Sequence, residues 1–387
     1  EVVNCPNESP IAGNRHDGFD EGRLETDLKR HRASRLLYYI TGVSKFARVG
    51  VFSALNNLVD ISVFSRYGSI CGFTHAELSD RLGPYVEKAA QCLELNTDDL
   101  LEKLKDYYDG FSFDGITRVY NPFSTLLFLF KQEFSNYWFE SGTTQVISQY
   151  LKDKNLTVEE FRGRKIDKNF AQNPGEIDSS GPESFFYQSG YLSLRPGSSE
   201  NTFTLDYPNR EVYESMSRLL VENIVGDPVT ATDAFDDLRD ALKSGDAGAL
   251  VGEFTKFFAM IPYDLYSKAN RNFIKMDNIK MNFGEWTRHA NLLSFLVGAG
   301  LNVQAEKQTS WGQSDILVFY AGQVWVIELK MTRNDNDEDV AKTALKQIRD
   351  KDYGAPYGNP ILLGIAINES KRTIGAWEVG YKEPRAR

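Results

Sequence analysis

The stretch SDILVFYAGQVWVIELKM (residues 314–331) decides the fold expected for the C-terminal part of this chain. Its two apolar runs flank Ala321–Gly322, a pattern typical of two strands joined by a tight hairpin turn. Three charged residues interrupt these runs: Asp315, Glu328 and Lys330. Because an isolated charge on a buried strand is costly, their presence in such apolar strands calls for a physical reason.

Strand geometry brings the three charges together. Side chains alternate between the faces of a strand, so Glu328 and Lys330 share one face with Val326. A tight hairpin folds the start of the first strand, with Asp315, back against this end of the second. Two carboxylates and an ammonium group then meet at one sheet edge, which suits Mg²⁺ or Mn²⁺ and phosphodiester hydrolysis. The alternative is a structural Glu–Lys pair with an exposed Asp, because a Glu-X-Lys pattern alone is a weak signal.

The elements predicted around the hairpin follow the order α-β-β-β-α-β-β. Besides the hairpin, these are a helix at 285–301, a strand at 302–308, an amphipathic helix at 337–353 and strands at 359–367 and 373–380.

Upstream, the pattern predicts a loose leader and a mostly helical region. Residues 1–22 form the leader, and a strand is predicted at 36–43. A β-hairpin is predicted from 184–195 and 202–209. Helices are predicted at 23–35, 74–93, 97–108, 143–163, 210–226 and 229–260, the second of these opening with Thr74 and Glu77 in a capping box.

The C-terminal motifs resemble the PD-(D/E)XK nuclease superfamily. GQSDILV resembles that family's G-R-x-D strand, with Gln313 where Arg is usual, VIELK resembles I-I-E-F-K, and ALKQIRDKDY resembles A-L-x-Q-I-x-x-x-x-Y. The resemblance implies a restriction-endonuclease-like αβββαβ fold with a central mixed sheet. It also implies a Mg²⁺- or Mn²⁺-dependent nuclease.

The same resemblance implies roles for individual residues. Asp315 and Glu328 would bind the metal with help from the Leu329 carbonyl, and Lys330 would position the attacking water. Gln347 would reach in from the following helix, where its position beside the buried stripe agrees with helical spacing; a solvated helix position is the alternative. Glu285 could complete the metal environment or could be an ordinary first-turn acid. Glu306 could face the site, but this is not favoured.

Residues from about 36 to 210 resemble the AAA-ATPase-like family that often precedes such nuclease domains. The matching blocks are ITGVSKF, CGFTHAEL, YYDGFSF, VYNPFSTL, NYWFESG and SGYLSL. No G-x-x-x-x-G-K-[ST] phosphate loop is present in this sequence, so ATP hydrolysis by this chain alone is not expected. The interpretation is an N-terminally truncated remnant that serves as a scaffold or as a partner surface. The resulting domains are 1–35 (leader and first helix), 36–210 (AAA-ATPase-like remnant), 211–280 (helical connection) and 281–387 (nuclease-like domain).

Composition excludes several classes of protein. The formal net charge of −10 argues against a protein that coats nucleic acid non-specifically. The 3 cysteines lack the spacing of a disulfide framework or zinc site. No apolar run is long enough to span a bilayer, and no signal peptide is recognised. A cytoplasmic location is expected, although secretion as an effector stays open, and a protein partner or homo-oligomer is possible.

Other candidates have ordinary interpretations. Lys45 and Arg48 could meet a phosphate but are more often solvated. The aromatic residues Tyr107, Tyr108, Phe111 and Phe113 could stack bases, but packing is favoured. Residues 267–280 could track phosphates or form a linker. The leading hypothesis is therefore a nuclease acting on nucleic acid, DNA more than RNA. The alternatives are an inactive binding module and, more weakly, an NTPase completed by another chain.

Overall fold

A computed structural model describes the greater part of the chain. The described residues are 2–4, 38–40, 61–140, 147–149, 151, 157–167, 169–170, 182–199, 202–262, 283–309, 312–333, 336–353 and 356–381. Only the backbone is described for 2–4, 38–40, 140, 182, 283–286, 306–309 and 312–315.

The chain divides into two compact units. One consists of Glu1–Val59 with Pro174–Ser189, and the other of Asp60–Asn173 with Gly190–Arg387. In the first unit, strands β1 (Val2–Asn4) and β2 (Tyr38–Ile40) pair antiparallel, so the strand predicted at 36–43 is present. The helix predicted at 23–35 lies outside the described residues. The four-part domain division stays a prediction.

The second unit contains a mixed five-stranded sheet in its C-terminal part. Its strands are β6 (Asn302–Thr309), β7 (Gly312–Tyr320), β8 (Gln323–Thr332), β9 (Ile361–Asn368) and β10 (Thr373–Tyr381). They lie in the order β10-β9-β8-β7-β6, and β8 and β9 run parallel whereas the other neighbours are antiparallel. The predicted mixed sheet and its order of elements are confirmed.

The β7–β8 hairpin turns at the predicted residues. Ala321 and Gly322 both have positive φ angles, 49° and 77°, as a two-residue turn that matches the twist of its strands requires. The turn sets the register, which pairs Ile316 with Ile327 and Phe319 with Val324.

Two helices flank this sheet and complete its core. Helix α9 (Phe283–Gly298) precedes β6, and helix α10 (Asp337–Asp350) connects β8 to β9. Helix α10 buries Leu345 and Ile348 on one face of the sheet, in a core made with Leu317, Val326 and Leu362. Because Val326 shares its strand face with Glu328 and Lys330, α10 covers the face that carries these charges.

The upstream part of the second unit contains several helices and a small antiparallel sheet. The sheet has the order β3 (Arg164–Asp167), β5 (Thr202–Asp206), β4 (Ser193–Pro196). The helices of this part are α1 (His75–Cys92), α2 (Thr97–Tyr108), α3 (Pro122–Lys131), α4 (Tyr137–Glu140), α6 (Arg210–Val225), α7 (Pro228–Ser244) and α8 (Ala247–Met260). Helix α5 (Pro182–Gln188) belongs to the first unit. The predicted capping box is present, with the Thr74 hydroxyl accepting from the Glu77 amide and the Glu77 carboxylate accepting from the Thr74 amide. No described helix is long and apolar enough to cross a membrane.

Four sequence-based predictions were partly wrong. Residues 1–22 were predicted as a loose leader, but Val2–Asn4 form strand β1. The helix predicted at 143–163 is helical at 147–149 and 151, but Val158–Phe161 form a short 3₁₀ helix. The segment 184–195 was predicted as one strand, but its first half is helix α5 and only Ser193–Pro196 pairs with β5. The single helix predicted at 229–260 is two helices. They are separated because Gly245 ends α7 with a φ of 71° and the Asp246 side chain accepts the first amides of α8.

Gly364 tests the packing of α10 on the sheet. A Cβ atom at Gly364 would lie 2.4 Å from the Leu345 amide nitrogen and 2.6 Å from the Ala341 carbonyl oxygen, so α10 would have to move. We expect Gly364→Ala to lower the free energy of unfolding by about 1–3 kcal/mol, as overpacking does. Thermal and urea denaturation would measure this change. Gly252→Ala, in open space on α8, is the control and is expected to be neutral or stabilising; equal stability of the two variants would contradict this packing.

Candidate active site

Strand β8 carries a buried carboxylate and a partly exposed amine. Glu328 is 3% exposed, at the level of Gly364 in the neighbouring strand β9. The Lys330 side chain is 29% exposed and lies two residues further along the same face. The carboxylate therefore lies at the floor of the site, and the ammonium group lies where the site meets solvent.

Gln347 of α10 connects these two groups. Its side-chain oxygen accepts a hydrogen bond of 2.7 Å from Lys330 Nζ. Its side-chain nitrogen donates to Glu328 Oε1, and Lys330 Nζ lies 3.8 Å from the same oxygen. A side-chain amide can accept from an ammonium and donate to a carboxylate at once. The structure thus places the Gln347 side chain between Glu328 and Lys330, and its role in the site stays a prediction.

The backbone register places three acidic positions in one row. Asp315 precedes Ile316 in β7, and Glu328 follows Ile327 in β8. Because Ile316 pairs with Ile327, the antiparallel register places position 315 opposite position 328. On the other side of β7, Ala305 pairs with Ile316 and Lys307 pairs with Ser314. Positions 306 and 315 therefore lie opposite each other between these two pairs. The side chains of Glu306 and Asp315 lie outside the described residues. The register nevertheless shows that Glu306, which the sequence analysis did not favour, occupies the same row.

The remaining predicted site residues are placed less completely. Leu329 is buried in β8, next to Glu328. Glu285 lies in the first turn of α9, and its side chain is outside the described residues. Among the described side chains, no group of three or more His, Cys, Asp or Glu residues could hold a metal ion, a set that excludes Glu285, Glu306 and Asp315.

Only some of the other candidates from the sequence are described by the structure. Tyr108 is fully buried and Tyr107 packs against the same core, which agrees with packing rather than base stacking. Phe113 is 37% exposed and lies at the protein surface. Lys45, Arg48 and the segment 267–280 lie outside the described residues.

Polar contacts that the sequence analysis missed hold the start of α10. The Asn368 side-chain nitrogen donates to both Asp337 carboxylate oxygens at 3.0 Å, and the Thr332 hydroxyl donates to Asn336 at 2.9 Å. These contacts fix α10 at the ends of β8 and β9 and so help to position Gln347. In the sequence, these contacts could have been suspected from Asn368, a polar residue that ends the otherwise apolar run ILLGIAIN.

Comparisons with known proteins support a nuclease fold here. Residues 284–377 match the model of the PD-(D/E)XK nuclease superfamily and form a domain of that superfamily. The chain is also 31% identical over 343 residues to "Uncharacterized protein in vnfD 5'region" of Azotobacter chroococcum mcd 1. That similarity covers 87% of this chain and 61% of the relative, so the chain spans less than two thirds of the relative's length. No solved structure matches the chain.

Replacing Gln347 tests whether it holds the site together. Gln347→Leu keeps a side chain of similar size but leaves the buried Glu328 without the amide donor. We expect a loss of about 1–3 kcal/mol in the free energy of unfolding, the cost of leaving a buried acceptor without its donor. Urea denaturation measures this loss. Lys346→Leu, at the exposed neighbouring position, is the control, and an effect no larger than that of the control would show that the bridge adds no stability.

Proposed function

We propose that this chain is a Mg²⁺- or Mn²⁺-dependent nuclease that hydrolyses phosphodiester bonds in DNA. The observation that carries the proposal is the buried Glu328 joined through Gln347 to Lys330, within the part of the chain that matches the nuclease superfamily. Such a charged group in a sheet core is costly unless it has a partner or a function.

The chemistry of the donor set fits a hard divalent cation. The carboxylates of Asp315 and Glu328 and the carbonyl of Leu329 would hold the ion, and Glu285 would complete its environment. Oxygen ligands of this kind suit Mg²⁺ and Mn²⁺. When bound, the ion would polarise a phosphoryl oxygen and neutralise charge at the reacting phosphate. The backbone row of positions 306, 315 and 328 supports this proposal and adds Glu306 as a further candidate.

Lys330 would orient the attacking water. Its ammonium group has three N–H donors, of which one is used by Gln347. The other donors can hold a water oxygen or a phosphate oxygen on the solvent side. Gln347 would act as a positioning residue, because its hydrogen bond restrains a long and otherwise flexible side chain.

The alternative is a catalytically inactive module that binds nucleic acid or protein. In that case residues 36–210 would serve as a degenerate AAA-ATPase-like scaffold. A cytoplasmic location also belongs to the proposal.

Plasmid cleavage tests the proposed reaction. With Mg²⁺ or Mn²⁺, the protein is expected to nick or linearise supercoiled plasmid. Asp315→Ala and Glu328→Gln are expected to lower the rate by at least about a hundredfold, because the loss of a metal ligand costs several kcal/mol of transition-state stabilisation. Glu328→Gln should keep its fold or become more stable, since a costly buried carboxylate is removed. Lys88→Ala, on the exposed face of α1, is the control; equal rates for all variants would refute the assignment.

Metal binding can be tested without turnover. Adding Mn²⁺ at about 100 times its dissociation constant would stabilise the folded protein by about 2.7 kcal/mol. We expect a rise in melting temperature that disappears in Asp315→Ala. No cleavage, together with a melting temperature that neither metal changes, would favour the inactive binding module.

A further inference from the structure

A cleft of about 550 Å³ lies beside the open edge strand of the C-terminal sheet. One wall is β6, from Asn302 to Ala305, and α9 provides the apolar floor with Leu293 and Val297. A second wall comes from segments far upstream: the end of α2, Arg118, Arg162 and the start of α6. Its volume falls within the range of small-molecule sites in proteins, about 300–1,000 Å³.

Two arginines of this wall lie over tyrosine rings. The Arg210 guanidinium is 5.0 Å from the ring centre of Tyr107, and that of Arg162 is 4.9 Å from the ring centre of Tyr213. Such planar cations over aromatic rings are surfaces on which nucleic acid bases stack.

Carboxylates hold these guanidinium planes in place. Arg210 is bonded to Glu214 and approaches Asp106 at 3.8 Å. Arg162 approaches Glu159 at 3.5 Å and Asp206 at 3.6 Å. Burial alone would lower the pKa of Arg162, but its anionic neighbours, Glu159 foremost, raise that pKa above the ordinary value, so the guanidinium stays charged.

The charge of the lining is balanced. Lysine and arginine are matched in number by aspartate and glutamate: Lys105, Arg118, Arg162 and Arg210 against Glu102, Asp106, Asp206 and Glu214. A balanced lining does not attract a polyanion as a basic track does, so a ligand here would be held by stacking and hydrogen bonds.

The cleft adjoins the candidate active site. Gln304 of β6 pairs with Leu317, which pairs with Val326, so Gln304 lies on the sheet face that carries Glu328. Along β6, Gln304 is two residues, or roughly 7 Å, from the row of acidic positions that begins at Glu306. A nucleic acid strand a few nucleotides long can reach from one to the other.

We infer that this cleft binds an unpaired nucleotide of the substrate strand, next to the site of cleavage. The inference rests on the proposed nuclease function and adds that the substrate is unpaired where it meets the cleft. The arginine planes would stack on the base, and the amides of Asn302 and Gln304 would hydrogen-bond to its edge. A base within a duplex stack cannot enter a cleft of this size, so the bound nucleotide must be single-stranded or flipped out.

Fluorescence anisotropy with a short, labelled single-stranded DNA tests the inference. The measurement uses the full chain in EDTA, which prevents metal-dependent cutting. Gln304→Ala and Arg118→Ala are each expected to weaken binding about tenfold, or about 1.4 kcal/mol. Arg162→Lys keeps the charge but loses the planar surface, and it is expected to weaken binding similarly. Lys88→Ala is the matched control, and melting curves would show that each variant folds.

The outcomes separate this inference from the nuclease proposal. Binding that depends on the cleft, without any cleavage when metal is added, would support the inference while refuting the catalytic proposal. Unchanged binding in all three variants would overturn the inference even if the protein cuts DNA. Equal weakening of duplex binding would overturn the requirement for an unpaired nucleotide. Binding that falls steeply with salt and persists in the variants would also overturn the inference, because binding of this kind would indicate a basic surface elsewhere.

Discussion

The buried carboxylate of Glu328 is the constraint on which the C-terminal architecture depends. It lies on β8, the middle strand of five, where water is excluded by α10 and by a strand on each side. A charge in this position is tolerable only with close polar partners, and Gln347 and Lys330 supply them. The helix must therefore approach the sheet closely enough for an amide side chain to reach the strand.

That close approach depends on small residues. Gly364 lies beside Glu328 in the next strand, and the backbone of α10 passes directly over it at Ala341 and Leu345. A larger residue at 364 would lift the helix and withdraw Gln347 from both charges. Small residues on the strand and the helix thus set the distance between α10 and the sheet, at which Gln347 reaches Glu328 and Lys330. The apolar core around Leu345 and Ile348 supplies the free energy that keeps the helix at this distance.

The sequence alone was sufficient where the pattern is local. Period-two alternation placed Glu328 with Lys330, and Ala321–Gly322 marked the turn that brings β7 against β8. It failed where the outcome depends on residues distant in the chain. The run SFFYQSGYLSLR has mixed propensities, and only pairing with β5 makes its second half a strand. The wall of the cleft is assembled from α2, Arg118, Arg162 and α6, which no spacing rule connects. Likewise, Glu306 joined the acidic row only once the β6–β7 register was known.

The domain that sequence comparison outlines is not the whole unit that holds the site. Residues 284–377 match the nuclease superfamily, yet the C-terminal carbonyls of α9 and its loop are bound from outside that range: Arg239 donates to Ala299 at 2.8 Å and Arg210 to Gly300 at 3.3 Å. Phe257 of α8 stacks on Phe295 of α9 with their ring centres 4.3 Å apart. Cations at a helix C-terminus and aromatic stacking both stabilise α9, the helix that precedes β6. Arg210 also lines the cleft. One side chain therefore both holds the end of α9 and shapes the surface beside the row of acidic positions, so the upstream helices support the structure around the candidate site.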